Sequence, residues 1–262
     1  MIRIHHLGTC AGTEPIPGMH HVAMTLEIRD SLYWVDAGEN CFYTAYTAGT
    51  DVTKSRAVLI SHAHIDHTGG LPNLLFTLQK MGIRYGKKLA HDNTLVFLSP
   101  DPGLLDATKA YCNGGEAKDA FPFRFDERII GDGLIYQDEN LTVTALHNRH
   151  LKEDGSRGWH SYSFLLESEG KRIVYSGDVV TQEELDPLME GGCHMLIMET
   201  GHHTVDAVCR YAASRGAAAL RFTHNGREII EKRPEMEALC ADHAARTGMD
   251  IRICFDGMIE NV

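Results

Sequence analysis

The sequence predicts an α/β fold of αββα order, two sheets with helices outside them. Two observations predict it. Strand-like runs give way to helical runs twice along the 262 residues, and no linker-like stretch separates the halves. A hydrophobic content of 43% is enough for a large shared core, so the expectation is a single domain over residues 1–262.

In the first half, residues 2–7, 22–28 and 32–35 read as strands, and the apolar run 57–61 reads as a fourth. Gly69-Gly70-Leu71-Pro72 then opens a helix to about Lys80, with Leu71, Leu74, Leu75 and Leu78 at helical spacing. In the second half, residues 141–146, 161–166, 172–176 and 195–198 read as strands. They are followed by a helix over 204–214, a strand over 219–223 and a helix over 234–246 with Pro234 in its first turn. Residues 103–123 read as a helix and a loop, and no short repeat is present.

Composition narrows the function. A net charge of -11 argues against a chain built to hold nucleic acid, and the densest basic stretch, Arg84–Lys88, reads as a solvated loop. Seven cysteines without a C-x-x-C pair make neither a disulfide framework nor a cysteine zinc knuckle. Cys10, Cys41 and Cys254 sit in apolar surroundings and read as buried thiols. With no signal-like opening and no apolar run near ~20 residues, a soluble cytoplasmic protein is expected.

The chemistry concentrates in His62-Ala-His64-Ile-Asp66-His67, directly after the apolar run. Alternate strand residues share a face, so a strand running to this point delivers His62 and His64 together. A turn into helix at Thr68-Gly69-Gly70 then adds Asp66 and His67. Imidazoles with a carboxylate form a ligand set suited to zinc. Three histidines and an aspartate in six residues answer no capping, turn or packing need.

The segment SHAHIDHTGGLP (61–72) resembles the H-x-H-x-D-H signature of the metallo-β-lactamase superfamily. Gly8-Thr9 with Ala11-Gly12, LYWVDAGE (32–39), YSGD (175–178) and LRFTH (220–224) resemble further blocks in the family's order. The layout is most similar to the ribonuclease Z and phosphodiesterase branch. The resemblance implies the four-layer αββα sandwich of the metallo-β-lactamase fold. It implies two divalent metal ions, zinc first, with manganese(II) or iron(II) as alternatives. His62, His64 and His150 would hold one ion, and Asp66, His67 and His224 the other, with Asp178 bridging. For the third histidine, His147 is the alternative to His150.

Two dications set against two carboxylates and a hydroxide leave a net positive pocket, which suits an anionic phosphoryl group. Asp66 is expected to act in catalysis as well as in ligation. In Glu199-Thr200-Gly201-His202-His203-Thr204, His202 matches the branch's proton donor to the leaving group, oriented by Glu199. The competing reading has His203 or Thr204 simply opening the helix. The stretch Ile16–His21 lacks the basic segment of transfer-RNA-processing relatives, and only a short loop, Leu151–His160, follows His150. A small phosphodiester is therefore the expected substrate. The runner-up is a carboxylic ester, lactone or thioester, and a redox or purely structural role is the reading from another class. No organic cofactor and no membrane are expected, and a homodimer is left open. His20, His21 and His160 read as loop contacts to substrate. His5, His6, His91, His194 and His243 read as surface or packed residues.

Overall fold

A computed structural model of the chain describes residues 1–115, 120–153, 155 and 158–262. Residues 116–119 of the 103–123 region, and 154, 156 and 157 of the expected loop after His150, lie outside the described residues. The chain forms two compact units. Unit 1 comprises Met1–Gly8, His20–Ile130 and Asp256–Val262; unit 2 comprises Thr9–Met19 and Gly131–Phe255.

Elements run in order as β1 (Ile2–Gly8), β2 (Ala23–Ile28), β3 (Ser31–Val35), α1 (Cys41–Thr47), β4 (Ser55–Leu59), α2 (Ile65–Thr68), α3 (Leu71–Tyr85), α4 (Ala90–Asn93), β5 (Thr94–Ser99), α5 (Leu104–Cys112) and β6 (Arg124–Ile129). They continue as β7 (Gly133–Gln137), β8 (Thr142–His147), β9 (Tyr162–Ser168), β10 (Lys171–Tyr175), α6 (Asp186–Met189), β11 (Met195–Glu199), α7 (Val205–Ser214), β12 (Ala219–Thr223), α8 (Arg227–Thr247), β13 (Asp250–Ile253) and β14 (Met258–Asn261).

Unit 1 holds one sheet in the order β14-β1-β2-β3-β4-β5-β6. The pairs from β14 to β3 are antiparallel, and those from β3 to β6 are parallel. Strands β2 and β3 are buried almost throughout, as strands covered on both faces must be. Leu7, Trp34, Val58 and Ile60 pack with Leu71, Leu74, Leu75 and Leu78 of α3. Trp34 Nε1 donates to Ser55 Oγ at 2.8 Å, so the largest buried ring carries no unmet donor.

Helix α3 runs past the expected Lys80 to a left-handed cap at Gly86, φ 62°. Arg84 and Tyr85 therefore close a helix, and only Gly86, Lys87 and Lys88 of the expected loop lie beyond it. At the other end, a Cβ on Gly70 would lie 2.1 Å from Gly38 O, so only glycine fits where α3 begins against the 36–38 turn.

Unit 2 holds the second sheet, β13-β12-β11-β10-β9-β8-β7. Here β13 to β10 are parallel and β10 to β7 antiparallel. Its core gathers Val174, Leu196, Met198, Leu220 and Phe222 with Val205, Val208 and Cys209 of α7. Thr204 caps α7, its side chain accepting from Ala207 N. Helix α8 begins earlier than expected, at Arg227, and breaks at Lys232 (φ -132°). Pro234 then stands in the first turn of the resumed segment. Among the described residues no helix is long and apolar enough to cross a membrane. Cys10, Cys41 and Cys254 are buried, as expected, and burial pushes the Cys41 thiol up to about 12.

His5 lies in β1 at 2% exposure, and neither ring nitrogen has a hydrogen-bond partner among the described residues. Burial, then Arg3 and His6, hold its pKa down at about 4. The folded state thus keeps His5 neutral while the unfolded chain protonates it below about 6.5. Its contribution is intact above that pH and is lost as pH falls from about 6.5 to about 4, by roughly 3 kcal/mol. Urea unfolding of wild type and His5→Leu at pH 7.5 and 5 should show a shallower pH dependence in the variant. Equal dependence in the two proteins would discount the buried imidazole.

Candidate metal-binding clusters

In both units the parallel part of the sheet presents its carboxyl-terminal strand ends, where open α/β sheets commonly place ligands. In unit 1 strand β4 stops at Leu59, short of the histidines. Ile60 N still reaches Leu98 O at 2.9 Å, but Ser61 N turns to Asp36 Oδ1 at 2.7 Å. The strand ladder ends because a side chain takes over its donor. His62 and His64 therefore sit on a loop and not, as expected, on alternating strand positions. His62 is fully buried and His64 exposed, and His64 precedes the one-turn helix α2 that carries Asp66 and His67.

Asp36 organises this loop. Its own N–H donates to Leu59 O at 2.9 Å, fixing it at the end of β3. Its Oδ2 accepts from Ser61 Oγ at 2.8 Å and from His67 Nδ1 at 2.8 Å. Backbone bonds from Ala37 N to His67 O and from Gly70 N to Ala37 O, both 2.7 Å, lock α2 against the same turn. A histidine donating through Nδ1 to a carboxylate presents Nε2 as a ligand, with raised basicity. Asp36 lies in the segment likened to the family's D-x-G-E turn, and its role as acceptor for Ser61 and His67 is set by contacts distant in sequence. The signal available was an aspartate directly after the run Leu32–Val35.

In unit 2, Asp178 follows β10, Glu199 ends β11 and His224 follows β12. His150 Nε2 lies 3.6 Å and His224 Nε2 3.4 Å from Asp178 Oδ2. His147 stands apart: its N–H and Nδ1 both bond Asp132 at 2.7 Å, and its ring stacks on Trp159 at 4.3 Å. Asn148 and Ser161 stitch the step to His150, with His150 N donating to Asn148 Oδ1 and Leu151 N to Ser161 Oγ. His224 adopts φ 46°, and a Cβ on Gly201 would meet its ring at 2.7 Å, so Gly201 is bare to admit that ring.

Glu199 is the buried hub of this unit. It accepts from His202 N at 2.9 Å, from Val179 N at 3.4 Å and, through Oε1, meets His202 Nδ1 at 3.0 Å. Burial alone would raise its carboxyl, but the hydrogen bond from His202 and the His224 ring at 3.8 Å outweigh that and hold it at about 2. The same bond to Glu199 raises His202 above the usual histidine range, against the opposing effect of burial. His202 keeps 43% of its side chain in solvent and stands 4.0 Å from Asp178 Oδ2. His203 Nε2 bonds Val179 O at 3.0 Å and lies 3.5 Å from Glu199 Oε1, while the capping task falls to Thr204.

The donor spacing fits metal coordination. His62 Nε2 and His64 Nδ1 are 3.1 Å apart, His67 Nε2 and Asp66 Oδ2 3.6 Å, and the unit 2 pairs 3.4 and 3.6 Å. Ligands at ~2.0–2.1 Å from a tetrahedral ion sit about 3.3–3.4 Å from each other. Several of these pairs join groups that both prefer to accept a hydrogen bond, an arrangement that a cation or a proton must reconcile.

The remaining histidines have local tasks. His20 bonds Asp256 at 2.8 Å and His21 bonds Glu39 at 2.8 Å. His6 meets Glu260, His91 meets Ser31, His194 accepts from Arg172 N, and His243 meets Asp206. His160 lies directly before β9, at the end of the loop that follows His150.

Comparison with known proteins adds the lineage. The family described as anti-Pycsar protein Apyc1 matches residues 2–205. A ribonuclease Z of Bradyrhizobium diazoefficiens is 24% identical over 172 residues, covering 66% of this chain and 52% of its own length. The chain spans about half the length of such relatives. The metallo-β-lactamase fold protein YhfI of Bacillus subtilis superposes with a TM-score of 0.76 at 17% identity, over 99% of this chain and 98% of that one. Human tRNase Z, short form, gives 0.71 at 20% identity, over 99% of each chain. The fold is that of the metallo-β-lactamase superfamily, in the α/β, αββα class expected, and the sequence relatives set the chain near the ribonuclease Z branch.

Asp36→Asn should keep the fold but weaken retention of one metal ion by roughly 10–100-fold, because the amide cannot accept from Ser61 and fix His67 as the carboxylate does. Titration of the protein against a calibrated chelator, with circular dichroism as a control, reads this. Unaltered metal affinity would remove Asp36 from the orienting role.

Proposed function

Since the chain belongs to the anti-Pycsar protein Apyc1 family, we propose that it is a metal-dependent hydrolase that cleaves a small anionic phosphodiester. Residues 1–262 act as one domain in this reading. His62, His64 and His150 hold one ion, Asp66, His67 and His224 the other, and Asp178 serves both. The observation that carries it is the set of donor spacings, 3.1 to 3.6 Å within each unit, built from imidazoles and carboxylates alone. That donor set favours zinc, with manganese(II) and iron(II) as alternatives.

Two bound dications would supply an activated water near neutral pH and a positive field for the phosphoryl oxygens. The chain's own residues do the rest. Asp36 and Ser61 fix the unit 1 imidazoles, so the donors need no rearrangement when charge develops. Asp178, buried to 2% exposure, keeps its carboxylate out of solvent competition. Glu199 holds a proton on His202 Nδ1, which leaves the partly exposed ring able to pass a proton to a departing alkoxide. The acidic surface, net -11, supports a small substrate over a polynucleotide. Hydrolysis of a carboxylic ester, lactone or thioester uses the same water and is separated only by substrate.

Metal analysis should find about two ions per chain, and chelation should abolish most turnover, restored by zinc. Full activity in verifiably metal-free protein would end this reading. His202→Ala should slow diesters with alkoxide leaving groups about a hundredfold or more and nitrophenyl diesters only slightly. Equal slowing of both classes would remove His202 from proton donation. Faster turnover of lactones or thioesters than of every phosphodiester tested would overturn the substrate class.

A further inference from the structure

Two loops of unit 2 meet where His150 Nε2 stands 3.6 Å from Asp178 Oδ2. Both residues lie beyond the ends of their strands, His150 after β8 and Asp178 after β10, so no ladder of backbone bonds fixes this separation. Close packing does not fix it either. Beside the two ligands the loops border one cavity of about 360 Å³, lined by Asn148 and Arg149 from the first and by Thr181 and Glu184 from the second.

Glu184 spans the gap. It belongs to the 3₁₀ turn Gln182–Leu185, anchored by Leu185, which is buried with Val179 in the unit 2 core. The preceding Glu183 is exposed, as acidic residues on a surface turn ordinarily are. The Glu184 side chain is only 8% exposed, and a carboxylate so far withdrawn from water is costly unless donors meet it. Arg149 Nε donates to its Oε1 at 2.5 Å, and Val180 N donates to its Oε2 at 3.0 Å. Each oxygen thus grips a different loop, one at the residue before His150 and the other just past Asp178. Val179 N goes instead to Glu199 Oε1 at 3.4 Å, so successive N–H groups after Asp178 are held by two different carboxylates. Arg149 keeps 60% of its side chain in solvent, and ion pairs of that kind add little stability. What the contact supplies is position.

We propose that Glu184 is a positioning residue of the metal centre, its two carboxylate oxygens setting the distance between His150 and Asp178, with Arg149 as its partner. This rests on the metal assignment above, in which His150 and Asp178 serve one and the same ion. Glu184 then does for these two ligands what Asp36 does for His67: it touches neither the ion nor the substrate and fixes the loops that carry the donors.

The test titrates cobalt(II) against a calibrated chelator in wild type, Glu184→Gln, Arg149→Met and the double variant, and follows the visible absorption of the bound ion. Glutamine keeps the size of Glu184 but cannot hold both donors as an anion does, and methionine keeps an apolar stem without the guanidinium. The expected result is an affinity for one of two ions lowered about tenfold in each single variant, with an altered absorption band and the other ion retained. The double variant should lose little more, because both substitutions break one clamp. Unchanged affinity and absorption in Glu184→Gln overturn the role. Equal loss of both ions, with a lower melting temperature of the metal-free protein, makes the turn a general support and overturns it as well. Hydrogen exchange of the metal-free protein reads the clamp without any ion. Arg149→Met should speed exchange about tenfold in residues 178–183, remote from it in sequence, and Glu184→Gln should do so in both 147–152 and 178–183. Faster exchange confined to the substituted loop overturns the clamp. A wild type that binds no cobalt removes the metal assignment and the positioning role with it, whereas a wild type that binds two ions beside unaffected variants removes the role alone.

Discussion

A buried carboxylate at a strand end, accepting hydrogen bonds from the loops beside it, is the interaction on which each cluster depends. Asp36 does this in unit 1 and Glu199 in unit 2. Both are fully buried, where an anion is costly unless it is met by several donors. The donors are backbone N–H groups and imidazoles, so satisfying the carboxylate and aiming the histidines are one event. Asp36 and Glu199 thereby decide where the imidazoles beside them point.

The sheets explain why these carboxylates are where they are. In a parallel arrangement, neighbouring strands end on the same edge and their following loops meet there. Strands β3 and β4 bring Asp36 and the His62–His67 loop to one edge of their sheet. Strands β10, β11 and β12 do the same for Asp178, Glu199 and His224. The antiparallel strands of the first sheet contribute mainly packing: β1 and β2 are almost wholly buried. His150 is the exception, since it follows the antiparallel β8 and needs Asn148 and Ser161 to bring it back beside Asp178.

Much of this was legible in the sequence because it rests on local pattern. The apolar runs at β3, β4, β10 and β11 mark themselves, and the leucine spacing of α3 fixes its buried face. Other parts were hidden by physics that local pattern does not carry. Strand β6 reads Arg-Phe-Asp-Glu-Arg-Ile because it is an edge strand, where charges deter further pairing, so no apolar alternation shows. The stop of β4 at Leu59 depends on Asp36, 23 positions earlier in chain order as the Ser61–Asp36 bond closes 25 residues. The separation of His147 from His150 depends on Asp132 and Trp159, neither of which is near them in sequence. Gly201 likewise has meaning only once the His224 ring is placed against it.

Asp36 and His224 also share a backbone trait, positive φ values of 54° and 46°. Left-handed backbone disfavours side chains with a Cβ, histidine more than aspartate, and costs on the order of 1 kcal/mol or more at each such position. Glycine would relieve that strain, but at 36 it would leave Ser61 and His67 without their buried acceptor, and at 224 it would leave the space against Gly201 empty. The strained backbone persists because the contacts it permits outweigh its cost, so these two turns cannot be relaxed without also loosening the loops they hold.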